Sequence, residues 1–237
     1  MLWVIVFMDM KKKQIELAGF IGKLLRDNFG KGPESVFTTI SPPFIFVSIQ
    51  NFISPVEEAL LKQDELNTVQ NTREILMQTL AGEIRAYMKI ITGMEIEEFY
   101  YDWNLNNKSG AITAVTNGSL SGQQAAMSDY PHQEELHRKV VEISHEVQKV
   151  PEKIFSCRIS DRVLLIIREG ILVRIEKELI KQGYSKILKT TKRVLEKSYL
   201  HNNEVEQILG VKVEDIFVDW DFTRDKSVFA LTLRPDQ

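Results

Sequence analysis

Two aspartates, Asp102 and Asp219, each stand before a tryptophan in stretches that read FYYDWN and IFVDWD. A repeated acid at a strand end could supply a general acid and a general base across a pseudo-twofold axis. The stronger reading is that each Asp caps backbone N–H groups where the chain enters a turn, while Trp103 and Trp220 fill a sheet face. The run GKGP offers Gly30, Lys31 and Gly32 as an anion cradle. Phosphate-binding glycine loops open a helix, whereas this one follows a helix and feeds a strand, so a helix-terminating turn is favoured. Gly30, Lys31, Gly32, Asp102 and Asp219 are therefore the candidate ligand-binding residues, and no residue is assigned as catalytic.

The histidines His132, His137 and His145 are five and eight residues apart, with His201 far downstream. Zinc ligands on one helix need a spacing of three or four, so no metal site is expected, and no cofactor. Cys157 is the single cysteine, which rules out an internal disulfide and a cysteine-based zinc site. In KIFSCRIS it reads as a small buried hydrophobe rather than a reactive thiol. The basic runs KKK (11–13) and KTTKR (189–193) read as solvated helix surface. No Walker motif, dinucleotide fingerprint, nucleophile elbow or paired-cysteine motif is present.

The elements that must carry these residues are written twice. GKGPESVFTTIS aligns with QKVPEKIFSCRIS, setting Pro33 against Pro151 and Phe37 against Phe155. FIFVSIQNFISPVEEALLKQ aligns with VLLIIREGILVRIEKELIKQ, and ITGMEIEEFYYDWN with ILGVKVEDIFVDWD, so that Glu57 meets Glu176 and Gly93 meets Gly210. Three blocks in one order make a full-length internal repeat. Each copy opens with an amphipathic helix, marked by Ile15, Phe20, Ile21, Leu24 and Leu25 in the first and by Leu136, Val140, Ile143 and Val147 in the second. A hairpin of β-branched and aromatic runs follows, turning at Pro42 and Pro43 in the first copy.

Ser54, Pro55 and Glu57 have the spacing of a capping box at the start of a short helix, and the second copy loses the cap to Val173 and Arg174. A long helix comes next, with Leu76, Leu80, Ile84, Tyr87, Met88 and Ile91 on one face and a stop at Gly93. Its counterpart carries Ile187, Leu188, Val194, Leu195 and Leu200 and runs to Gly210. Two more strands close each copy. The expectation is an α+β fold of two tandem repeats, each helix-strand-strand-helix-strand-strand, with an antiparallel four-stranded sheet covered on one face by helices. The domains are expected at 10–118 and 132–237, joined by a small, polar, turn-rich linker at 119–131.

At 237 residues the chain is long enough for two such cores, and 43% hydrophobic with 27% charged residues is the mixture of a soluble globular protein. A net charge of -3 argues against a nucleic-acid partner. The opening MLWVIVFMDM is too short to cross a bilayer and carries its charges on the wrong side for a signal peptide, so direct membrane insertion is not expected and the chain reads as cytoplasmic. An added edge strand or an interface segment is the expected use of LWVIVF.

The order FGKGPESV, hydrophobic hairpin, ISPVEEAL, NTREIL helix and ITGMEIEEFYYDWN resembles the MpsC-like family. Its members show a Gly-Arg/Lys-Gly-Pro turn, a capped helix start and an acid on the third strand, which match Gly30 to Pro33, Ser54 with Pro55 and Glu57, and Asp102. The resemblance covers residues 14–115 and, as a diverged copy, 133–235, where Glu176 and the Asp219-Trp220 pair remain. It implies association with a sodium-dependent, membrane-potential-generating system linked to inorganic-carbon uptake in bacteria. The expected role is then a non-enzymatic accessory or regulatory protein, two related domains forming a pseudo-dimer with a protein partner, by self-association or within a membrane transporter complex. The alternative is a small-molecule or anion sensor binding a ligand between the domains or beside GKGP.

Overall fold

The computed structural model describes residues 2–117, 130–200 and 202–234. Its elements are α1 (Leu2–Phe29), β1 (Ser35–Ser41), β2 (Phe44–Gln50), α2 (Pro55–Leu61), α3 (Leu66–Thr92), β3 (Ile96–Asn104) and β4 (Ser109–Thr116), followed by α4 (Gln133–Val147), β5 (Lys153–Ser160), β6 (Val163–Glu169), α5 (Arg174–Lys181), α6 (Ser185–Tyr199), α7 (Asn202–Leu209), β7 (Lys212–Asp221) and β8 (Lys226–Arg234). The fold is α+β, with two four-stranded antiparallel sheets of order β1-β2-β4-β3 and β5-β6-β8-β7. The described residues group into two compact units, the second of which takes in Tyr100–Asp102 along with everything from Tyr130 onward. Of the expected linker, only Tyr130 and Pro131 lie within the described residues.

In the first unit the β1–β2 hairpin turns where Ser41 faces Phe44, around the two prolines. The β2 residues Phe44, Ile45, Phe46 and Val47 are all buried, and since alternate strand side chains point to opposite faces, both faces are shielded there. The strands bearing the two Asp-Trp pairs, β3 and β7, are edge strands, while β4 and β8 run inside their sheets.

Helix α1 extends through LWVIVF, which overturns the edge strand expected as one of two uses of that segment. No glycine or proline interrupts the chain before Gly19, so the helix continues backward without a breaker. Its buried ridge is Leu17, Ile21 and Leu25, at i, i+4 spacing, and Ile15 faces outward. Gly93 closes α3 in the left-handed conformation. The counterpart of α3 is broken in two, because Leu200 leaves helical geometry (φ -91°, ψ 93°) before α7 begins. Its inner face also departs from expectation: Ile187, Val194 and Leu195 are exposed, whereas Leu188, Lys192 and Glu196 are buried.

The second unit has one continuous apolar core, drawn from α4, β6, β7, β8 and α7 and including Leu136, Val140, Leu164, Ile166, Val205 and Trp220. Buried within the same unit is an ion pair, Arg168 Nη2 to Glu196 Oε2 at 2.6 Å, both side chains at most 1% exposed. The guanidinium also donates to the hydroxyls of Ser227 and Ser144 at 2.9 Å and lies over the Phe229 ring. The aligned residues of the first copy are Ile49 and Met77, an apolar pair that is itself fully buried. Removing one partner of a buried pair leaves an uncompensated charge, whereas replacing both by apolar groups can be neutral. Glu196→Met should therefore cost about 3–5 kcal/mol in urea unfolding, and Arg168→Ile added to it should recover most of that loss.

Candidate functional site

Each unit is organised around a carboxylate three residues into its short helix. In the first unit the box at Ser54 forms in full: the Glu57 N–H donates to Ser54 Oγ, and Ser54 N–H donates to Glu57 Oε2 at 2.8 Å. Glu57 also accepts two bonds from Arg73 on α3, at 2.7 and 3.0 Å, and Arg73 Nη2 donates to the Phe52 carbonyl at 2.8 Å. Arg73 is fully buried, its guanidinium 4.8 Å from the Phe52 ring centre and 4.6 Å from that of Trp103. Phe29 completes the aromatic enclosure, edge-on to Phe52 at 5.0 Å. Gly110 is required here, because a Cβ at that position would lie 2.2 Å from the Trp103 ring.

Burial alone would raise the Glu57 pKa, but the Arg73 guanidinium and the Ser54 N–H outweigh it and hold the carboxyl below its ordinary value. In the second unit Glu176 still accepts from the Val173 N–H at 2.9 Å, so half of the box survives although Val173 has no side-chain acceptor. The cation aligned with Arg73 is Lys192, which donates to Glu176 at 2.7 Å and to Gln148, and lies near the Trp220 ring.

The two aspartates belong to a second charged cluster, within the unit that contains residues 100–102. Asp102 accepts from Arg193 Nε at 2.8 Å, Lys197 Nζ at 2.5 Å and the Val218 N–H at 2.9 Å. Asp219 accepts from Lys189 Nζ at 2.7 Å, Arg193 Nη2 at 3.0 Å and the Tyr101 N–H at 2.9 Å. Both aspartates are 2% exposed. The pattern is reciprocal, since each aspartate takes the N–H of a residue next to the other, and Arg193 bridges the two. Neither caps the turn after its strand. That work falls to Asn104, which accepts from the Asn107 N–H, and to Asp221, which accepts from the N–H groups of Thr223 and Arg224.

Lys189, Arg193 and Lys197 recur every four residues along one side of α6, and their aligned positions in the first copy are Gln70, Glu74 and Gln78. The reading of KTTKR as solvated surface is thus overturned: Lys192 is 5% exposed and its neighbours reach buried acids. KKK stays largely outside, with Lys13 paired to Asp9.

Gly30, Lys31 and Gly32 serve the end of α1. Gly30 adopts φ 74° and its N–H donates to the Arg26 carbonyl at 3.0 Å, while Gly32 lies against the Arg26 side chain. In the second copy Gln148 replaces Gly30, and its side chain binds Lys192 instead. His137 Nε2 meets Ser156 Oγ at 2.6 Å, and the same hydroxyl takes Tyr130 Oη at 2.7 Å and Gln133 Nε2 at 3.1 Å. Burial lowers the His137 pKa against the pull of Glu134 and raises those of Tyr130 and Cys157 to about 12, so Cys157 is a buried thiol. A polar hollow of about 390 Å³ opens beside this group, lined by Tyr130, Gln133, Glu134 and Arg138 among others. His201 lies outside the described residues.

Residue types and spacing had singled out the aspartates, glycines and Glu57. They had not shown the cations that answer them. One signal was available: Arg73 aligns with Lys192 just as Glu57 aligns with Glu176, so a charge pair is preserved across the repeat.

The fold and its charged clusters define a tandem α+β protein in which repeated acids join edge strands and short helices to the long helices behind them. The profile of a family described as the Na+-translocating membrane potential-generating system (MpsC) matches residues 10–117 and again 132–234. The chain belongs to the MpsC family, in two copies. No curated protein and no solved structure matches it.

The aspartates are buried against cations that stay partly accessible, so Asp102→Asn and Asp219→Asn should each cost about 3 kcal/mol in denaturant unfolding. Loss of a chemical turnover without loss of stability would instead mark them as reactive groups. A second expectation concerns pH. The Glu57 pKa is depressed on folding, so its contribution is complete above about pH 4.3 and is lost as pH falls below that value; for His137, also depressed, the loss begins below about pH 6.5. Melting curves should therefore show an acid decline in two stages, the earlier one flattened by His137→Gln and the later one by Glu57→Gln.

Proposed function

We propose that the chain is a non-enzymatic, cytoplasmic accessory or regulatory component of a Na+-dependent membrane-potential-generating system, with the link to inorganic-carbon uptake that the family resemblance implies. The observation that carries this reading is the family match over both halves. Among the described residues no helix is long and apolar enough to cross a membrane, which suits a component that works beside a membrane-spanning partner. The repeated acids, the most suggestive groups for chemistry, are each engaged by two cations and a backbone N–H, as a structural role requires.

The full-length repeat further supports a fused pair, in which one chain carries two units that single-domain relatives would supply by homodimerisation. A fragment of residues 10–118 should then self-associate in sedimentation velocity, and a stable monomer would count against the fused pair. For the accessory role, the full chain should co-purify in mild detergent with a Na+-translocating membrane complex. Its removal should lower the Na+-dependent potential read by a voltage-sensitive dye. An unchanged potential together with no co-purification would refute the role.

A further inference from the structure

Helix α6 is turned inside out. Its buried residues are Leu188, Lys192 and Glu196, and its flank carries Lys189, Arg193 and Lys197 toward Asp102 and Asp219. Apart from Leu188, its apolar side chains face water: Ile187 is 65% exposed, Val194 59%, Tyr184 48%, Tyr199 44% and Leu195 39%. Ile187, Val194 and Leu195 share one face with the small polar Thr191 and Ser198, and a tyrosine stands at each end of the helix. The first copy does this only in part, since Ile75, aligned with Val194, is 58% exposed. In α3 the buried face is mainly apolar, through Val69, Met77, Leu80, Ile84 and Met88, and the positions aligned with Tyr184 and Ile187 are Glu65 and Thr68.

The charge on the outer side of α6 has one sign. Its single acid, Glu196, is 1% exposed, whereas Lys186 is exposed and the side chains of Lys189, Arg193 and Lys197 remain 16–26% accessible along the flank. An apolar stripe bordered by cations, without exposed acids and with tyrosines at its ends, is the chemistry of a helix that lies in the headgroup region of an anionic bilayer. A second copy of the chain fits less well, since pairing α6 with α6 would bring cationic flanks together. The cytoplasmic loops of membrane proteins are themselves rich in Lys and Arg, so they too suit this helix less well than anionic lipid does.

We infer that α6 is a peripheral docking face for an anionic lipid surface, with Ile187, Val194 and Leu195 entering the headgroup layer and Lys186 meeting lipid phosphates. This deepens the proposed function and rests on it, because it gives the accessory protein its contact with the membrane. The bound helix lies along the interface and does not cross it.

Flotation of the full chain with vesicles tests the inference. The chain should float with phosphatidylglycerol–phosphatidylcholine vesicles and far less with phosphatidylcholine alone, and added salt should weaken binding. The double variant Ile187→Glu/Val194→Glu should bind about tenfold more weakly. Both side chains are more than half exposed, so its circular dichroism and melting should match the parent. Failure of the parent chain to float with the anionic vesicles, or equal binding by the double variant, overturns the inference. So does a stripe-dependent self-association without lipid, which would assign the face to a second copy, or stripe-dependent capture by the detergent-solubilised complex without vesicle binding, which would assign it to a protein groove. If the double variant still joins that complex in detergent while the parent never binds vesicles, the lipid inference falls and the accessory role stands.

Discussion

A carboxylate that closes a helix start and also grips a buried cation on the next helix is the constraint from which much of this structure follows. In the first unit Glu57 satisfies the Ser54 N–H and forks onto Arg73, and Arg73 in turn holds the Phe52 carbonyl and the faces of Phe52 and Trp103. A buried guanidinium is costly unless its donors and charge are answered, so the residues around it are fixed together. Phe29 is drawn in, the chain must then turn at Gly30, and Gly110 must lack a side chain to admit Trp103. Gly30, Ser54 and Glu57 are, on this account, parts of one packing problem spread along the sequence, while Asp102 belongs to the second charged cluster.

The second copy shows how that problem tolerates change. Lys192 replaces Arg73 and reaches Glu176, but a point-like ammonium cannot fork onto a carboxylate as a guanidinium does, and Gln148 supplies an additional acceptor. Elsewhere an apolar pair, Ile49 with Met77, has become the ion pair Arg168 with Glu196, stabilised by two serine hydroxyls. Placing polar groups on the inner side of α6 goes with apolar ones on its outer side. Relative to the first copy, Glu196 puts a charge inside where Met77 stands, and Ile187 puts an apolar side chain outside where Thr68 stands.

Much of the architecture was legible because it is encoded locally. The alternation in SVFTTIS and FIFVSIQ, the Ser54-Pro55-Glu57 start and the Gly93 stop are short-range signals whose physics acts within a few residues. The repeat multiplied their value, since each element was read twice. Helical periodicity was less dependable. It marked Ile15 and Ile187 as inward-facing, yet both are exposed, because apolar spacing alone does not distinguish a core face from an outward one.

The sequence by itself determined the fold class, the duplication, the element order and the turn at GKGP, because backbone preference and side-chain period suffice for these. Only the tertiary structure decided what Asp102 and Asp219 do. Their partners Lys189, Arg193 and Lys197 are distant in the chain from Asp102, and as written they resemble any basic helix surface. A charge's role depends on what it meets and on how much water remains beside it. Both are properties of the packed chain.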